Sequence, residues 1–188
     1  MYTEDTLFEN ENYTLNPLPK GEYEHCTFIN CDFSESDLTQ MLFIECSFSS
    51  CNLSLAKLNK TAIREVKFKD CKLLGLRFEN CHPFLFAVSF ENCLLNLSSF
   101  FKLGLKKTLF NNCSVREVDF TDCDLSLSVF KNCDLGGAIF ENSVLEKTDF
   151  RTAFNYSFDP ELNKIKKAKF SVAGIAGLLN KYQIDIEQ

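Results

Sequence analysis

Residues 26–51 read CTFINCDFSESDLTQMLFIECSFSSC, and this segment repeats with a period of five residues. A large apolar residue stands at the third position of every repeat: Phe28, Phe33, Leu38, Phe43 and Phe48. A period of five fits neither an α-helix at about 3.6 residues per turn nor a strand at about 2.0. The segment therefore indicates a repeat architecture, in which each repeat forms one small structural unit.

The same frame runs through nearly the whole chain. Its first part extends from Phe8 to Phe78, and its second part extends from Phe90 to Phe150. Between them the frame slips by two residues somewhere within 82–88. After a weak passage the frame ends with Ile165 and Phe170. We infer that one repetitive structure continues across the slip.

The position two residues before each large apolar residue is small or carries a thiol. Alanine, serine and threonine occupy it at Ala56, Ser98 and Thr148. Asn or Asp commonly precedes the cysteine, as at Asn30 and Asp70, and such short polar side chains can bond the local backbone at a corner. All ten cysteines of the chain occupy the small position: Cys26, Cys31, Cys46, Cys51, Cys71, Cys81, Cys93, Cys113, Cys123 and Cys133.

A chain that turns a right-angle corner every five residues accounts for this pattern. Four corners close one square coil of about 20 residues, and each side of the coil points one large and one small side chain inward. The coils then stack by parallel backbone pairing at about 4.8 Å. We predict an all-β solenoid of about eight coils over residues 1–170, with a two-residue bulge near 82–88.

Stacking also predicts which residues form the core of the solenoid. Residues about 20 apart, or about 22 apart across the slip, should fall into one column along the rod. Each buried large side chain of such a column contributes roughly 1.5–3 kcal/mol. The predicted core ladder has one all-Phe column and one all-Cys column: Phe28, Phe48, Phe68, Phe90, Phe110, Phe130, Phe150, Cys31, Cys51, Cys71, Cys93, Cys113 and Cys133.

Composition and charge limit the class of protein further. The chain has 188 residues, of which 45% are hydrophobic, with 20 Phe and no Trp. Its net charge of −6 disfavours direct binding of nucleic acid, which needs a basic surface. No apolar run approaches the roughly 18 residues of a membrane span. Ten cysteines without a recognisable secretory signal favour free thiols in a reducing compartment, so we expect a cytoplasmic location.

The cysteines and histidines form no recognisable catalytic or metal-binding motif. Structural zinc sites need CxxC-type pairs, whereas these cysteines recur at intervals of five and twenty residues, which favours core packing. Disulfides between stacked cysteines are conceivable, but parallel inward side chains and a reducing compartment disfavour them. His25 and His82 lie outside any known motif, and coils filled by Phe leave no pocket for a small ligand. We predict no enzymatic activity, no metal and no cofactor.

The terminal segment, residues 171–188, is predicted to contain a helix over Ser171–Lys181 with Ser171 as its N-cap. Two interpretations are open: a cap over the last coil, which terminal repeats generally need, or a cap that is also a homodimer interface. The small Gly174 and Gly177 would permit two helices to approach closely. The candidate interface residues lie mostly on the apolar face of this helix: Val172, Ile175, Leu178, Leu179 and Tyr182.

A second candidate surface runs along the side that carries the all-Cys column. Leu55, Leu74, Leu94 and Leu97 are expected to point outward there. A line of exposed apolar side chains can mark a binding site for another protein. Scattered apolar surface is also common, so the alternative interpretation is an ordinary solvated side.

The run from Cys26 to Phe150 resembles the pentapeptide-repeat superfamily, whose motif is roughly Ala/Cys-Asp/Asn-Leu/Phe-x-x. The resemblance implies the fold of that family, a right-handed quadrilateral β-helix. The two ends are similar to one branch, the fluoroquinolone-resistance (Qnr-type) proteins that bind DNA gyrase and topoisomerase IV. The similar passages are the spacing of the first large residues and four short C-terminal motifs: Phe8, Tyr13, Leu18, Tyr23, Phe28, then Phe158–Pro160, Ala168–Phe170, Leu178–Leu179 and Ile184–Ile186.

In that branch the terminal helix caps the solenoid and forms a head-to-head dimer, which is thought to imitate a DNA duplex. The resemblance therefore implies a non-catalytic homodimer that binds gyrase or topoisomerase IV and gives fluoroquinolone resistance. The charges of this chain are of mixed sign on every side, for example Lys67 and Lys69 beside Asp70. The alternative is a general protein-interaction scaffold that binds through the outward leucines. The acidic surplus lies partly in the N-terminal segment: Glu4, Asp5, Glu9, Glu11, Glu22 and Glu24.

Overall fold

The structure is a computed structural model that describes residues 1–187. It consists of short parallel β-strands and contains almost no helix. Each strand is three or four residues long. The predicted all-β solenoid with parallel stacking is confirmed. The strands are β1 (Tyr2–Glu4), β2 (Leu7–Glu9), β3 (Glu22–Glu24), β4 (Thr27–Ile29), β5 (Leu42–Ile44), β6 (Ser47–Ser49), β7 (Ala62–Arg64), β8 (Val66–Lys69), β9 (Val88–Glu91), β10 (Leu109–Asn111) and β11 (Val129–Lys131).

The strands form two parallel sheets. One has four strands in the order β1-β3-β5-β7, and the other has seven in the order β11-β10-β9-β8-β6-β4-β2. The seven successive strands define about six turns of the solenoid. Single bridges such as Asp149 with Lys169 continue the pairing beyond the last strand. The regular strands therefore cover fewer turns than the eight coils expected from the repeat count.

Rows of single bridges complete the circumference of the rod, which we divide into four sides. Side 1 is the four-stranded sheet and its continuation from Gly104 to Lys164, and side 2 is the seven-stranded sheet. Side 3 is the row of bridges from Asn12 to Phe154, and side 4 is the row from Asp37 to Ile139. Successive sides follow one another along each coil, so the chain passes through all four before it pairs with itself again.

The pairing register is constant along the rod except at one place. On side 1, Ala62 pairs with His82, so one regular coil separates the two residues. On side 2, Val66 pairs with Val88, and this coil is longer than a regular one by two residues. The two extra residues therefore lie between His82 and Val88. The core columns keep the same register before and after this bulge.

A left-handed backbone conformation marks most corners of the coil. It occurs two residues after the inward-facing large residue, and from Glu35 to Asp70 it recurs every five residues with φ between +49° and +62°. The backbone N–H of the corner residue then donates a hydrogen bond to the next coil. Leu55 N, for example, donates to Leu74 O at 2.9 Å. Glycine occupies such a corner at Gly75 and Gly137. The other corners hold a conformation that costs an L-residue about 1–2 kcal/mol, which the stacking hydrogen bonds offset.

Stacked aromatic rings fill the interior. On side 2, ring centroids are 5.2 Å apart between Phe48 and Phe68 and 5.6 Å apart between Phe68 and Phe90. Along side 4 a second column has centroid separations of 4.5–5.4 Å. Rings of the two columns meet edge to face, as where Phe90 meets Phe100 at 6.0 Å. The second column consists of Phe78, Phe100, Phe120 and Phe140.

The small position of each repeat makes hydrogen bonds as well as packing contacts. Thr61 Oγ1 donates to Leu38 O at 2.7 Å. Thiols at this position make an equivalent but weaker hydrogen bond. Cys133 Sγ, for example, donates to Phe110 O at 3.4 Å. In each case the acceptor is the carbonyl of the large residue of an earlier coil. The position therefore favours a residue that is small and also carries a donor, which explains why Cys, Ser and Thr share it.

The terminal segment differs in part from its prediction, because helical turns run from Ala173 to Tyr182 but only one of them is α-helical. A 3-10 turn at Ala173–Ile175 leads into one α-helical turn, α1 (Ala176–Leu179), and a second 3-10 turn follows at Asn180–Tyr182. Ser171 Oγ does accept from Gly174 N at 3.1 Å, as an N-cap residue does.

Close packing against Tyr156 explains the irregular segment. A side chain at Gly174 would overlap the Tyr156 hydroxyl, and one at Gly177 would overlap the Tyr156 carbonyl oxygen. The glycines therefore let this segment approach the last coil of its own chain. Glycine is also unfavourable by about 1 kcal/mol in a helix interior, so the same residues that permit the contact weaken a regular helix.

Substitution of Gly177 tests this packing. We expect Gly177→Ala to displace residues 171–182 from the last coil, because its Cβ would collide with backbone at Tyr156. Hydrogen exchange should then speed up in this segment while the strands keep their protection. Gly104→Ala is the matched control, because no atom lies within 4 Å of the added Cβ. Unchanged exchange in residues 171–182 of Gly177→Ala would contradict the packing.

Candidate partner-binding surfaces

The interior of the rod offers little room for a ligand. A core cavity lined by Leu38, Phe43, Phe68 and Phe78 has a volume of about 10 Å³, which is at most the space of one water molecule. Within residues 1–187, no three His, Cys, Asp or Glu side chains converge as metal ligands would. Candidate sites therefore lie on the outer surface.

The ten cysteines are free thiols, and all of them are buried. Burial raises the pKa of Cys46 to about 12 and that of Cys123 to about 12. A thiol with such a pKa stays protonated at neutral pH, so it serves as a donor within the core and is a poor nucleophile or metal ligand.

The outward leucines lie on neighbouring coils of side 3. Leu55, Leu94 and Leu97 are 59%, 42% and 62% exposed, whereas Leu74 is half-buried. Leu55 and Leu97 occupy the same corner row, and Gly75 lies between them. The Leu55 side chain covers that glycine, because a Cβ at Gly75 would stand 2.7 Å from Leu55 Cδ2. The four leucines lie on three successive coils of side 3, with Leu94 in the row of Lys72 and Ser114, and we call these four residues the leucine strip.

The candidate dimer residues of the terminal segment do not share one surface. Val172 is 90% exposed, and Ile175 and Tyr182 are about half exposed. Leu178 instead packs against the core, and Leu179 is half-buried. Three of the five side chains are therefore available to another molecule, and Leu178 is directed toward the solenoid.

A pair of ionic contacts fixes the end of this segment to the solenoid. Lys181 Nζ lies 2.8 Å from Asp159 Oδ1 and 2.8 Å from Glu161 Oε2. The hydrogen bond from Lys181 lowers the pKa of Asp159 and also that of Glu161. Tyr182 OH donates to Glu161 Oε1 at 3.3 Å. These contacts position residues 180–182 beside the turn at Pro160–Leu162, a feature that hydrophobic patterning alone did not indicate.

Charge is distributed unevenly along the rod. Residues 1–45 contain ten Asp or Glu and one Lys, a net charge of −9, while the whole chain has −6. The remaining residues therefore carry a net charge of +3. The first two coils form an acidic end, and the rest of the rod is slightly basic.

Side 1 shows this change of sign most clearly. Before the bulge its outward positions and corners hold six carboxylates and one cation: Glu4, Asp5, Glu22, Glu24, Glu45, Glu65 and Arg64. After the bulge they hold six lysines and two carboxylates: Lys106, Lys107, Lys147, Lys164, Lys166, Lys167, Asp124 and Glu146. The net charge is −5 on one half and +4 on the other. Side 1 thus has a charge that reverses along the axis of the rod.

A parallel β-solenoid built from five-residue repeats, with its variable residues on the outside, defines the class of this protein. The sequence profile of the pentapeptide repeat region matches residues 22–83 and 84–154. The chain belongs to the pentapeptide-repeat family. No curated protein sequence matches it. None of the helices in residues 1–187 has the length and apolar character that a membrane crossing requires.

Solved structures of other pentapeptide-repeat proteins are similar to this one. One trypsin-treated form of QnrB1, a plasmid-mediated fluoroquinolone resistance protein, matches with a TM-score of 0.50 and 19% identity over 100% of both chains. A second trypsin-treated form matches with a TM-score of 0.49 and 20% identity over 98% of this chain and 99% of QnrB1. HetL, a heterocyst differentiation protein of Nostoc sp. strain PCC 7120, matches with a TM-score of 0.36 and 14% identity over 92% of this chain and 87% of its own. At this identity the likeness concerns the fold.

Proposed function

We propose that this chain is a non-catalytic, cytoplasmic protein-binding solenoid whose partner is DNA gyrase or topoisomerase IV. The observation that carries the proposal is the acidic end of a rigid rod, where residues 1–45 have a net charge of −9. Proteins that bind duplex DNA neutralise phosphates with lysine and arginine. An acidic rod can therefore occupy a surface of this kind in place of DNA.

Two further features support a topoisomerase as the partner. The opening and C-terminal passages resemble the Qnr-type branch, and QnrB1, which is described as a fluoroquinolone resistance protein, has the same type of fold. The stacked core also makes the acidic end stiff, so its carboxylates keep fixed positions when they meet a partner. We propose that binding protects the enzyme from a fluoroquinolone.

The acidic end is the part of the rod proposed to make this contact. Carboxylates of successive coils are about 4.8 Å apart along one row, and duplex DNA has one negative charge per about 1.7 Å. The rod therefore has a lower density of charge than DNA even where it is acidic. Because the remaining coils are slightly basic, imitation of DNA is confined to the first coils.

A supercoiling assay of gyrase with a fluoroquinolone tests the proposal. We expect added protein to restore supercoiling. We expect Glu22→Lys with Glu24→Lys to weaken this effect, because the two substitutions change the net charge of residues 1–45 from −9 to −5. Lys131→Glu is the control, since it changes the charge on side 2, outside the acidic end, and should retain protection. Persistent inhibition at a large excess of the unmodified protein would contradict the proposal.

We further propose that the terminal segment caps the last coil and pairs two chains. Val172, Ile175 and Tyr182 are the exposed side chains that would meet the second copy. Light scattering of Val172→Ser with Ile175→Ser should show loss of that dimer. A mass unchanged from that of the unmodified dimer would contradict this role of the segment.

A general interaction scaffold is the second candidate function, and the leucine strip favours it. Leu55 and Leu97, at 59% and 62% exposed, are large apolar side chains on a single corner row. Affinity capture from a cell lysate, followed by binding assays with the recovered protein, separates the two functions. A partner other than a topoisomerase, whose binding is lost in Leu74→Glu with Leu97→Glu, would favour the scaffold.

A further inference from the structure

The bulge between His82 and Val88 is an ordered projection with an apolar tip. Phe84 and Leu85 are 60% and 61% exposed. Phe84 N donates to His82 Nδ1 at 3.2 Å, and the Arg64 guanidinium lies 5.6 Å from the centroid of the Phe84 ring. Phe86, in contrast, is partly buried and packs against the core. The inward Phe86 holds the base of the bulge, and the other two side chains are exposed at its tip.

The bulge also stands at the midpoint of the charge reversal on side 1. Four coils precede it, and their side 1 positions have a net charge of −5. The coils that follow it have a net charge of +4 on the same side. The acidic extreme is at Glu4 and Asp5, and the basic extreme is at Lys166 and Lys167. The two halves of side 1 are therefore opposite in net charge, and the opposition is strongest between their far ends.

We propose that side 1 is a self-complementary interface on which a second copy of this chain docks antiparallel, with the two Phe84–Leu85 tips in contact at the two-fold axis. A two-fold interface uses the same patch on both subunits. The rotation places the acidic half of each rod against the basic half of the other. Glu4 and Asp5 of one copy then face Lys166 and Lys167 of the second copy.

Electrostatics select this orientation among the possible ones. A parallel pair on side 1 would place acid against acid and lysine against lysine, and like charges across an interface disfavour a wrong arrangement. The exposed aromatic tip supplies the central apolar contact that stable interfaces generally have. This arrangement is an alternative to the proposed contact between terminal segments, which would join the rods end to end and hold the two bulges far apart.

Cross-linking through one introduced cysteine identifies the interface. The native cysteines are buried, so a cysteine on the bulge would be the reactive thiol. Pro83→Cys keeps Phe84 and Leu85 in place and puts a thiol next to the two-fold axis. We expect it to form a disulfide-linked dimer at low salt, and we expect Phe84→Ser with Leu85→Ser added to the same chain to abolish that product. Absence of a linked dimer from Pro83→Cys at low salt would overturn the proposal.

The same measurement at Val172 separates side-by-side pairing from end-to-end pairing. Val172→Cys should link two chains only if the terminal segments meet. A linked dimer from Val172→Cys and none from Pro83→Cys would overturn the side 1 interface and leave the proposed function standing. A linked dimer from Pro83→Cys supports the interface whatever the outcome of the gyrase assay.

Charge exchange tests the antiparallel direction. Lys166→Glu with Lys167→Glu should weaken the dimer, as should Glu4→Lys with Asp5→Lys, because each puts like charges together. Mixing these two variants should restore opposite charges at both ends of the pair, which light scattering or native mass spectrometry would detect as a mixed dimer. We expect the dissociation constant of the unmodified protein to rise about tenfold or more with added salt, since the Debye length falls from about 10 Å at 0.1 M to about 3 Å at 1 M. Failure of the mixed variants to pair better than either alone would overturn the antiparallel arrangement.

Discussion

Phe110→Ala is expected to lower the free energy of unfolding by about 3–5 kcal/mol, the usual cost of truncating a buried Phe. Phe110 is fully buried, and its ring stacks on Phe90 at 5.1 Å and on Phe130 at 4.7 Å. It also meets Phe100 and Phe120 edge to face. Because each coil of a solenoid contacts only its neighbours, the cavity would interrupt the column in the middle of the rod and not at a frayed end.

Urea unfolding of both variants of a matched pair measures this effect. Phe154→Ala is the control, because the Phe154 side chain is 49% exposed. A substitution at such a surface position usually changes stability by less than about 0.5 kcal/mol. Equal midpoints for Phe110→Ala and the unmodified protein would show that the ring is not part of a stacked core.

We expect the ten cysteines to be unreactive toward an alkylating reagent in the folded protein and reactive in denaturant. The thiolate is the reactive form, and burial raises the pKa of Cys46 and Cys123 to about 12. At pH about 8 such a thiol is ionised about 10³-fold less than one with the ordinary pKa of about 8.5. Alkylation followed by mass spectrometry counts the modified residues directly.

The same raised pKa values make stability depend on alkaline pH. Below the unfolded-state pKa of about 8.5, Cys46 and Cys123 are protonated in both states, and folding does not change their ionisation. As the pH rises from there toward the folded-state value of about 12 for Cys46, only the unfolded chain releases the proton. The free energy of unfolding should therefore fall with pH above about 8.5. Rapid labelling of several cysteines in the native state would contradict the burial on which both expectations depend.

The five-residue period predicted the columns of the core because burial acts on side-chain size, which a sequence displays directly. Phe68 pairs with Phe90 across the slip because each carries the inward position of its coil. The backbone at the corners was not predicted. A left-handed residue is normally indicated by glycine, whereas here Leu55 and Leu97 adopt it with φ of 58° and 62°. Leu55 and Leu97 adopt the left-handed conformation because the repeat requires a corner at their positions. Leucine itself has no local preference for that conformation.

The surfaces were predictable in part. Leu55, Leu94 and Leu97 are exposed, because their place in the repeat fixes their direction. The terminal segment was predicted less well, since its apolar periodicity favoured one helix and gave no sign of the Tyr156 contact that the glycines accommodate. The charge reversal of side 1 also escaped sequence analysis. The sequence shows charges of both signs on every side, and the reversal becomes evident only when the charges of one side are followed coil by coil along the rod.

The central claim is that the polypeptide returns to the same side after about 20 residues, and that the bulge lengthens one coil without breaking the columns. Ring-to-ring nuclear Overhauser effects in protein labelled only at Phe measure this most directly, because the distances in question are short. We expect contacts from Phe48 to Phe68 and from Phe68 to Phe90, whose ring centroids are 5.2 and 5.6 Å apart. Assigned spectra in which Phe68 contacts Phe48 but not Phe90 would contradict the continuous column, and with it the placement of every outward residue beyond the bulge.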